Sequence, residues 1–217
     1  MKQIEGGVTA AKGFEAAGVN AGIKYKNRND MALIYSEKPC VAAGVFTTNV
    51  VKAAPFLWDR YLIDNYEEMH AVIINAGIAN ACTGEEGMGY CRQTSQAASD
   101  ILNVYASSVA VASTGVIGMQ LPIDKIVKGI SLLKEAKGNT LEHGHVAAQS
   151  IMTTDTKPKE IAFQFEVGGK TATIGGMCKG SGMIHPNMCT MLCFITTDVA
   201  INKSLLAEAL SNDVVDT

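Results

Sequence analysis

Residues 161–176 read IAFQFEVGGKTATIGG. Ile161, Phe163, Phe165 and Val167 alternate with Ala162, Gln164 and Glu166, the two-residue period of a strand with unlike faces. Gly168-Gly169 follows, and two consecutive glycines accept the positive φ that a tight hairpin turn demands at both central positions. Lys170 to Ile174 then runs back. The stretch predicts an antiparallel hairpin, and with it a sheet.

Working outward, further strands are predicted at 31–36 (MALIYS), 40–47 (CVAAGVFT), 71–76 (AVIINA), 108–113 (SVAVAS) and 191–199 (MLCFITTDV), where β-branched and apolar residues cluster between turn signals. The period lengthens elsewhere. Over 90–103, Cys91, Ser95, Ala98 and Ile101-Leu102 fall near one helical face. Over 122–136, Pro122 suits a first turn, and Ile123, Ile126, Val127, Ile130 and Leu133 form an i, i+3, i+4, i+7 stripe. Residues 140–152 and 203–211 read as two more helices, the last with Asn202 as N-cap. No repeat, low-complexity tract or Pro/Ser-rich linker interrupts the pattern. The expectation is an α+β chain, mixed sheets layered with helices.

The chain has 217 residues, 47% apolar and 18% charged, enough to bury a core. A net charge of -3 offers no bulk attraction to nucleic acid or an anionic membrane. No apolar run nears the roughly 18 residues of a membrane span, and the start lacks the apolar region of a secretory signal. A cytoplasmic location is expected. The six cysteines form no C-x-x-C pair, and His143 and His145 are two apart. Most of the cysteines are expected to be reduced and packed as small apolar residues, and no metal site is expected.

Four stretches could carry chemistry. GMCKGSGMIHPNMCTMLC at 176–193 is the most unusual. It reads as a tight loop between strands, or as a constrained loop that delivers Thr190 at the start of a strand. Its Lys-Gly-Ser-Gly order does not match a phosphate loop. A threonine hydroxyl becomes a useful nucleophile when a nearby amine takes its proton. Cleavage just before Thr190 would free such an amine on the same residue. ASTGVIG at 112–118 is a strand-to-helix corner whose N–H groups and Thr114 hydroxyl could face an oxyanion. IMTTDTKP at 151–158 reads either as capping and turn residues or as a polar ligand contact. INAGIANACTGEEGMG at 74–89 has its glycines in the wrong order for a dinucleotide fingerprint and reads as a backbone corner near a site.

Together these stretches resemble the ornithine acetyltransferase family of arginine biosynthesis, the bifunctional glutamate N-acetyltransferases. The matching pieces are GGVTAAKGFEAAGVNAGIK near the start, GVFTTNVVKAAP at 44–55, NACTGEEG at 80–87, STGVIG at 113–118, MTTDTKPK at 152–159 and GGMCKGSGMIHPNMCTMLCFITTD at 175–198. They run in family order over nearly the whole chain, and the last is long and specific. The resemblance implies a self-cleaving Thr-nucleophile fold of the ornithine acetyltransferase/DmpA type. It implies a cut between Cys189 and Thr190, with residues 1–189 as the α-chain region and 190–217 as the start of a β-chain. Thr190 would carry an acetyl group from N-acetylornithine to glutamate as an ester. Thr114 and Gly115 would stabilise the oxyanion. Lys179 and Thr153, with Thr190, would bind substrate. No cofactor is implied, although acetyl-CoA serves some members as donor. The α and β pieces are expected to stay together in a higher oligomer.

Cys189 stands where the family usually has Ala, and Ile78 where Asn is common. Family members also continue well past the helix at 203–211, and their later substrate-binding residues have no counterpart here. A fragment or truncated product, inactive in isolation, is the expectation for these 217 residues. The competing readings are a self-processing aminopeptidase or amidohydrolase, with water as acceptor, and an inactive binding module.

Overall fold

The computed structural model describes residues 1–180 and 191–215. Among these residues eight strands form two four-stranded sheets. One contains β2 (Phe14–Val19), β3 (Met31–Cys40), β4 (Met69–Ile78) and β5 (Val109–Val116) in that order. The other runs β1 (Lys2–Ile4), β6 (Lys159–Val167), β7 (Lys170–Lys179), β8 (Leu192–Thr197). All neighbours are antiparallel except β4 and β5, which are parallel and joined through α2 (Gly84–Leu102). Parallel neighbours need such a crossover, because a tight turn cannot return the chain in the same direction.

The alternation of β2 to β5 sorts their side chains into two cores. Ala17, Met31, Leu33, Ala71 and Ile73 face Tyr90 and Ala98 of α2 and Ile126, Ile130 and Leu133 of α3 (Ile123–Ala136). On the opposite face Ala16, Ala32, Ile34, Ile74 and Ala112 meet Ala147, Ala148 and Ile151, at and just beyond α4 (Leu141–Ser150). Met177 of β7 joins this second core, with Leu192 and Phe194 of β8 packed against it, so the second sheet closes the layer. Close approach there depends on Gly175: a Cβ at that position would lie 2.1 Å from the Gly7 carbonyl oxygen.

The predicted hairpin is present. Gly168 and Gly169 sit at φ of 57° and 72°, and Val167 pairs with Lys170. The Asn202 cap is present too: Oδ1 accepts from the Leu205 N–H at 2.9 Å as α5 (Lys203–Val215) begins. Val127 departs from its stripe and is 37% exposed.

The predicted strand at 40–47 is corrected. Only Cys40 lies in β3, and 41–47 has no regular structure. Its apolar residues instead cover α1 (Ala54–Asn65), a helix absent from the sequence reading. Ala42 packs against the cluster of Leu62, Met69 and Ala110, Phe46 meets Phe56 edge to face at 5.1 Å, and a Cβ on Gly44 would press Ile63. Helix α2 also begins six residues before the predicted start at 90. Three glycines in its first turns hid the helical pattern.

Helix α1 guards the free edge of β5. The Trp58 indole N–H donates to the Val109 carbonyl at 3.4 Å, and the Asp59 carboxylate accepts from the Val111 N–H at 2.9 Å. An edge strand otherwise exposes such groups for unwanted pairing. Burial pushes the Asp59 carboxyl up to about 8, against the Val111 hydrogen bond that lowers it. A raised acid pKa means the folded chain holds a proton that the unfolded chain has released. Stability therefore falls as pH rises from about 4 to about 8. Asp59→Asn keeps an acceptor for Val111 and removes the charge. Its melting temperature relative to the parent is expected to rise steadily from about pH 5 to about pH 8. A constant difference across that range would refute the assignment.

Candidate active site

Strands β4 and β5 end side by side on two glycines. Gly77 pairs with Gly115, at φ of 114° and 134°. A Cβ on Gly115 would fall 2.2 Å from the Gly77 carbonyl carbon, so the two main chains touch as no side-chain-bearing pair could. The corner is braced from within. Ser113 Oγ donates to Asn75 Oδ1 at 2.6 Å, and Asn75 Nδ2 donates to the Ile78 carbonyl at 2.9 Å. Beyond it, the Ala79 N–H reaches the Val116 carbonyl at 2.9 Å. Buried Asn80, at φ 48°, accepts from the Thr83 hydroxyl and donates to the Gly87 carbonyl. Thr114 is itself buried and lies two residues after Ala112, on the face turned to the second core.

Lys179 ends β7 two residues after Met177, and so shares that inward face. It is 2% exposed, and its Nζ donates to the Gly180 carbonyl at 2.6 Å. Burial draws its pKa below the ordinary lysine value, while the Asp155 charge opposes that drop. A buried ammonium is a point charge suited to a carboxylate.

Asp155 is the hub that the sequence reading left among turn residues. Oδ1 accepts from the Gly180 N–H at 2.8 Å and from Lys159 Nζ at 2.7 Å, and Oδ2 accepts from the Thr153 N–H at 3.3 Å. Burial would raise its carboxyl, but these donors outweigh burial and hold it below the usual range. Thr153 is thereby tied to the end of β7.

Arg28 carries the network further. Its guanidinium donates to the Met152 and Thr153 carbonyls and lies 3.9 Å over the Tyr25 ring. Tyr25 in turn lies 3.5 Å from where a Gly77 Cβ would stand. Strand pairing, the approach of Tyr25 to the Gly77 Cβ position, ring stacking and hydrogen bonds thus link Thr114–Gly115 through Gly77, Tyr25, Arg28, Thr153 and Asp155 to Gly180 and Lys179. Four of the six candidate site residues, Thr114, Gly115, Thr153 and Lys179, belong to this network. The other two, Cys189 and Thr190, lie outside the described residues, but Leu192, two residues after Thr190, pairs with Lys179.

The cysteines divide. Cys91 is fully buried, Cys40 and Cys178 are half-buried, and Cys82 and Cys193 are exposed. Cys178 and Cys193 face each other across β7 and β8. A hydrogen bond from Cys193, helped by Lys159 and Lys179 and opposed by burial, lowers the Cys178 thiol to about 7. All five described cysteines are free. Among the described residues no cluster of three metal-ligating side chains occurs, and no helix is long and apolar enough to cross a membrane.

A model of the ArgJ family matches residues 15–217. The arginine biosynthesis bifunctional protein ArgJ of Symbiobacterium thermophilum is 50% identical over 212 residues, covering 97% of this chain and 52% of that protein. The chain spans about half the length of the curated relatives it matches. Among solved structures, ArgJ from Bacillus halodurans is 43% identical with a TM-score of 0.81, covering 88% of this chain and 97% of the other. Ornithine acetyltransferase from Mycobacterium tuberculosis, solved with ornithine, is 43% identical with a TM-score of 0.77, covering 84% and 95%. An aminopeptidase from Ochrobactrum anthropi, described as a variant of the Ntn hydrolase fold, shares the fold at a TM-score of 0.56 and 16% identity, covering 99% of this chain and 70% of its own.

Proposed function

Because the chain belongs to the ArgJ family, we propose that the whole protein moves an acetyl group from N-acetylornithine to glutamate through an ester on Thr190. The observation that carries this reading is the linked cluster of Thr114–Gly115, Thr153 and Lys179, with Lys179 paired to a residue two positions after Thr190. A carboxylate-bearing amino acid suits the buried Lys179 ammonium. The ornithine bound by the Mycobacterium tuberculosis relative has that chemistry.

The sequence of steps starts on the chain itself. Thr190 Oγ attacks the Cys189 carbonyl carbon, the peptide C–N bond breaks, and the acyl group moves from nitrogen to oxygen. Water then opens that ester, leaving a carboxylate on Cys189 and a free amine on Thr190. In catalysis this amine takes the hydroxyl proton as Oγ attacks the acetyl carbonyl of N-acetylornithine. The Thr114–Gly115 corner stabilises the oxyanion, a contribution of about 3 kcal/mol per donor. Ornithine leaves with the proton. The glutamate amine attacks the acetyl ester, N-acetylglutamate departs, and Thr190 regains its hydroxyl. The reaction so written needs no metal or cofactor. Acetyl-CoA is a second candidate donor to the same hydroxyl. The α and β pieces are proposed to remain associated.

The test is mass spectrometry on the whole protein. Two polypeptides divided at 189/190 are expected, and the one that begins at Thr190 should gain one acetyl group on that residue when N-acetylornithine is added without glutamate. Glutamate should then discharge it as N-acetylglutamate. Discharge to free acetate at the same rate with and without glutamate would make the protein a hydrolase. An unmodified chain would overturn the reading.

A further inference from the structure

We propose that Arg28, seated on Tyr25, is a positioning residue that fixes the spacing between the Thr114–Gly115 corner and Thr153; this rests on the acetyl-transfer reading above.

Thr153 has little regular structure to hold it. It follows the end of α4, where carbonyls run out of helical donors. The Thr153 N–H is held by Asp155 at 3.3 Å, and its carbonyl is held by Arg28 Nη1 at 3.4 Å. Arg28 Nη2 takes the preceding carbonyl, that of Met152. One planar guanidinium thus grips two successive carbonyls just beyond the C-cap of α4.

The other side of the guanidinium is fixed as well. Its 3.9 Å stacking on Tyr25 is within the range of a cation–π contact. The Tyr25 ring lies 3.5 Å from where a Cβ on Gly77 would stand, with the Lys24 side chain beside it at 2.8 Å, and Gly77 pairs with Gly115. Each joint has little freedom: a forked group on two carbonyls, a flat ring under it, and a glycine whose missing Cβ leaves room for Tyr25 and Lys24. The strut spans the two places that must be in register when Thr190 reacts, one near the developing negative charge and one at the substrate. Arg28 bonds two main-chain carbonyls and stacks on a ring, so its effect on catalysis acts through Thr153 and the corner.

The experiment uses the whole protein with Arg28→Lys, Arg28→Met and Tyr25→Leu. Lysine keeps the charge but cannot grip both carbonyls or stack as a plane. In both Arg28 variants kcat is expected to fall about ten- to a hundredfold, as for a displacement of about 1 Å at a reacting centre, with a smaller change in KM. Arg28→Lys is expected to rescue little. Amide hydrogen exchange provides a readout independent of turnover. It should quicken at 152–155 and also at 76–79 and 114–117 in all three variants. Lysine restoring kcat to within about twofold of the parent, or exchange quickening at 152–155 alone, would overturn the strut. If the parent itself transfers no acetyl group, the functional reading fails, and the exchange pattern still decides the strut.

Discussion

In the whole protein, Thr190→Ala is expected to leave one unbroken polypeptide with acetyl transfer reduced by about four or more orders of magnitude. Both losses have one cause. The same Oγ attacks the Cys189 carbonyl during processing and the acetyl carbonyl during turnover, and alanine has no such oxygen. The free amine that would act as base is also never made. Thr190→Ser separates the two causes. Serine keeps the hydroxyl and, once cut, the amine, so processing and turnover should both survive at reduced rates. Gel mobility and intact mass report the cut, and release of N-acetylglutamate reports the transfer. A cleaved, active alanine variant would remove Thr190 from both roles. A cleaved but inactive one would leave it the transfer nucleophile and assign the cut to another group.

Local pattern revealed much of the framework. The Gly168-Gly169 turn needed positive φ, and the sequence placed there the residues that accept it. Ile126, Ile130 and Leu133 recur at helical spacing because α3 buries one stripe. Helix α1 was hidden for a physical reason. Its exposed Leu57 and Tyr61 break the stripe, and its role is to satisfy a strand edge through Trp58 and Asp59. Segment 41–47 was misread because apolar residues that lie on a helix look, over so short a run, like those that pair in a sheet. Within the site, Thr114, Gly115, Thr153 and Lys179 were named through motifs that resemble a family. Their mutual support was not legible. Arg28 and Thr153 stand 125 positions apart, and their bond uses a main-chain oxygen that any residue would supply. Asp155 looked like a turn residue and is one, but its carboxylate also reaches Gly180 across 25 positions.

Gly115→Ala is expected to cost more than about 3 kcal/mol of stability and, in what remains folded, to lower kcat by about two orders of magnitude or more. Two penalties add. A φ of 134° lies where L-residues rarely go, a strain of about 1 to 3 kcal/mol. The new methyl would also stand 2.2 Å from the Gly77 carbonyl carbon, 2.4 Å from its oxygen and 2.6 Å from the Ile78 nitrogen. All three are main-chain atoms, so no rotamer change relieves the clash. β4 and β5 must separate at Gly77–Gly115, the last pair but one of their ladder. Thr114 moves with that separation, and an oxyanion donor is sensitive to displacement. Gly118→Ala supplies the control. Its φ of 82° carries a strain of the same kind, but among the described residues no atom beyond its chain neighbours lies within 4 Å of the added Cβ, so a loss of about 1 kcal/mol and nearly parental kcat are expected. Denaturant unfolding and steady-state turnover of both variants decide the matter. Equal losses in the two would mean that strain alone operates and that the glycine contact between β4 and β5 does not set the geometry of the corner.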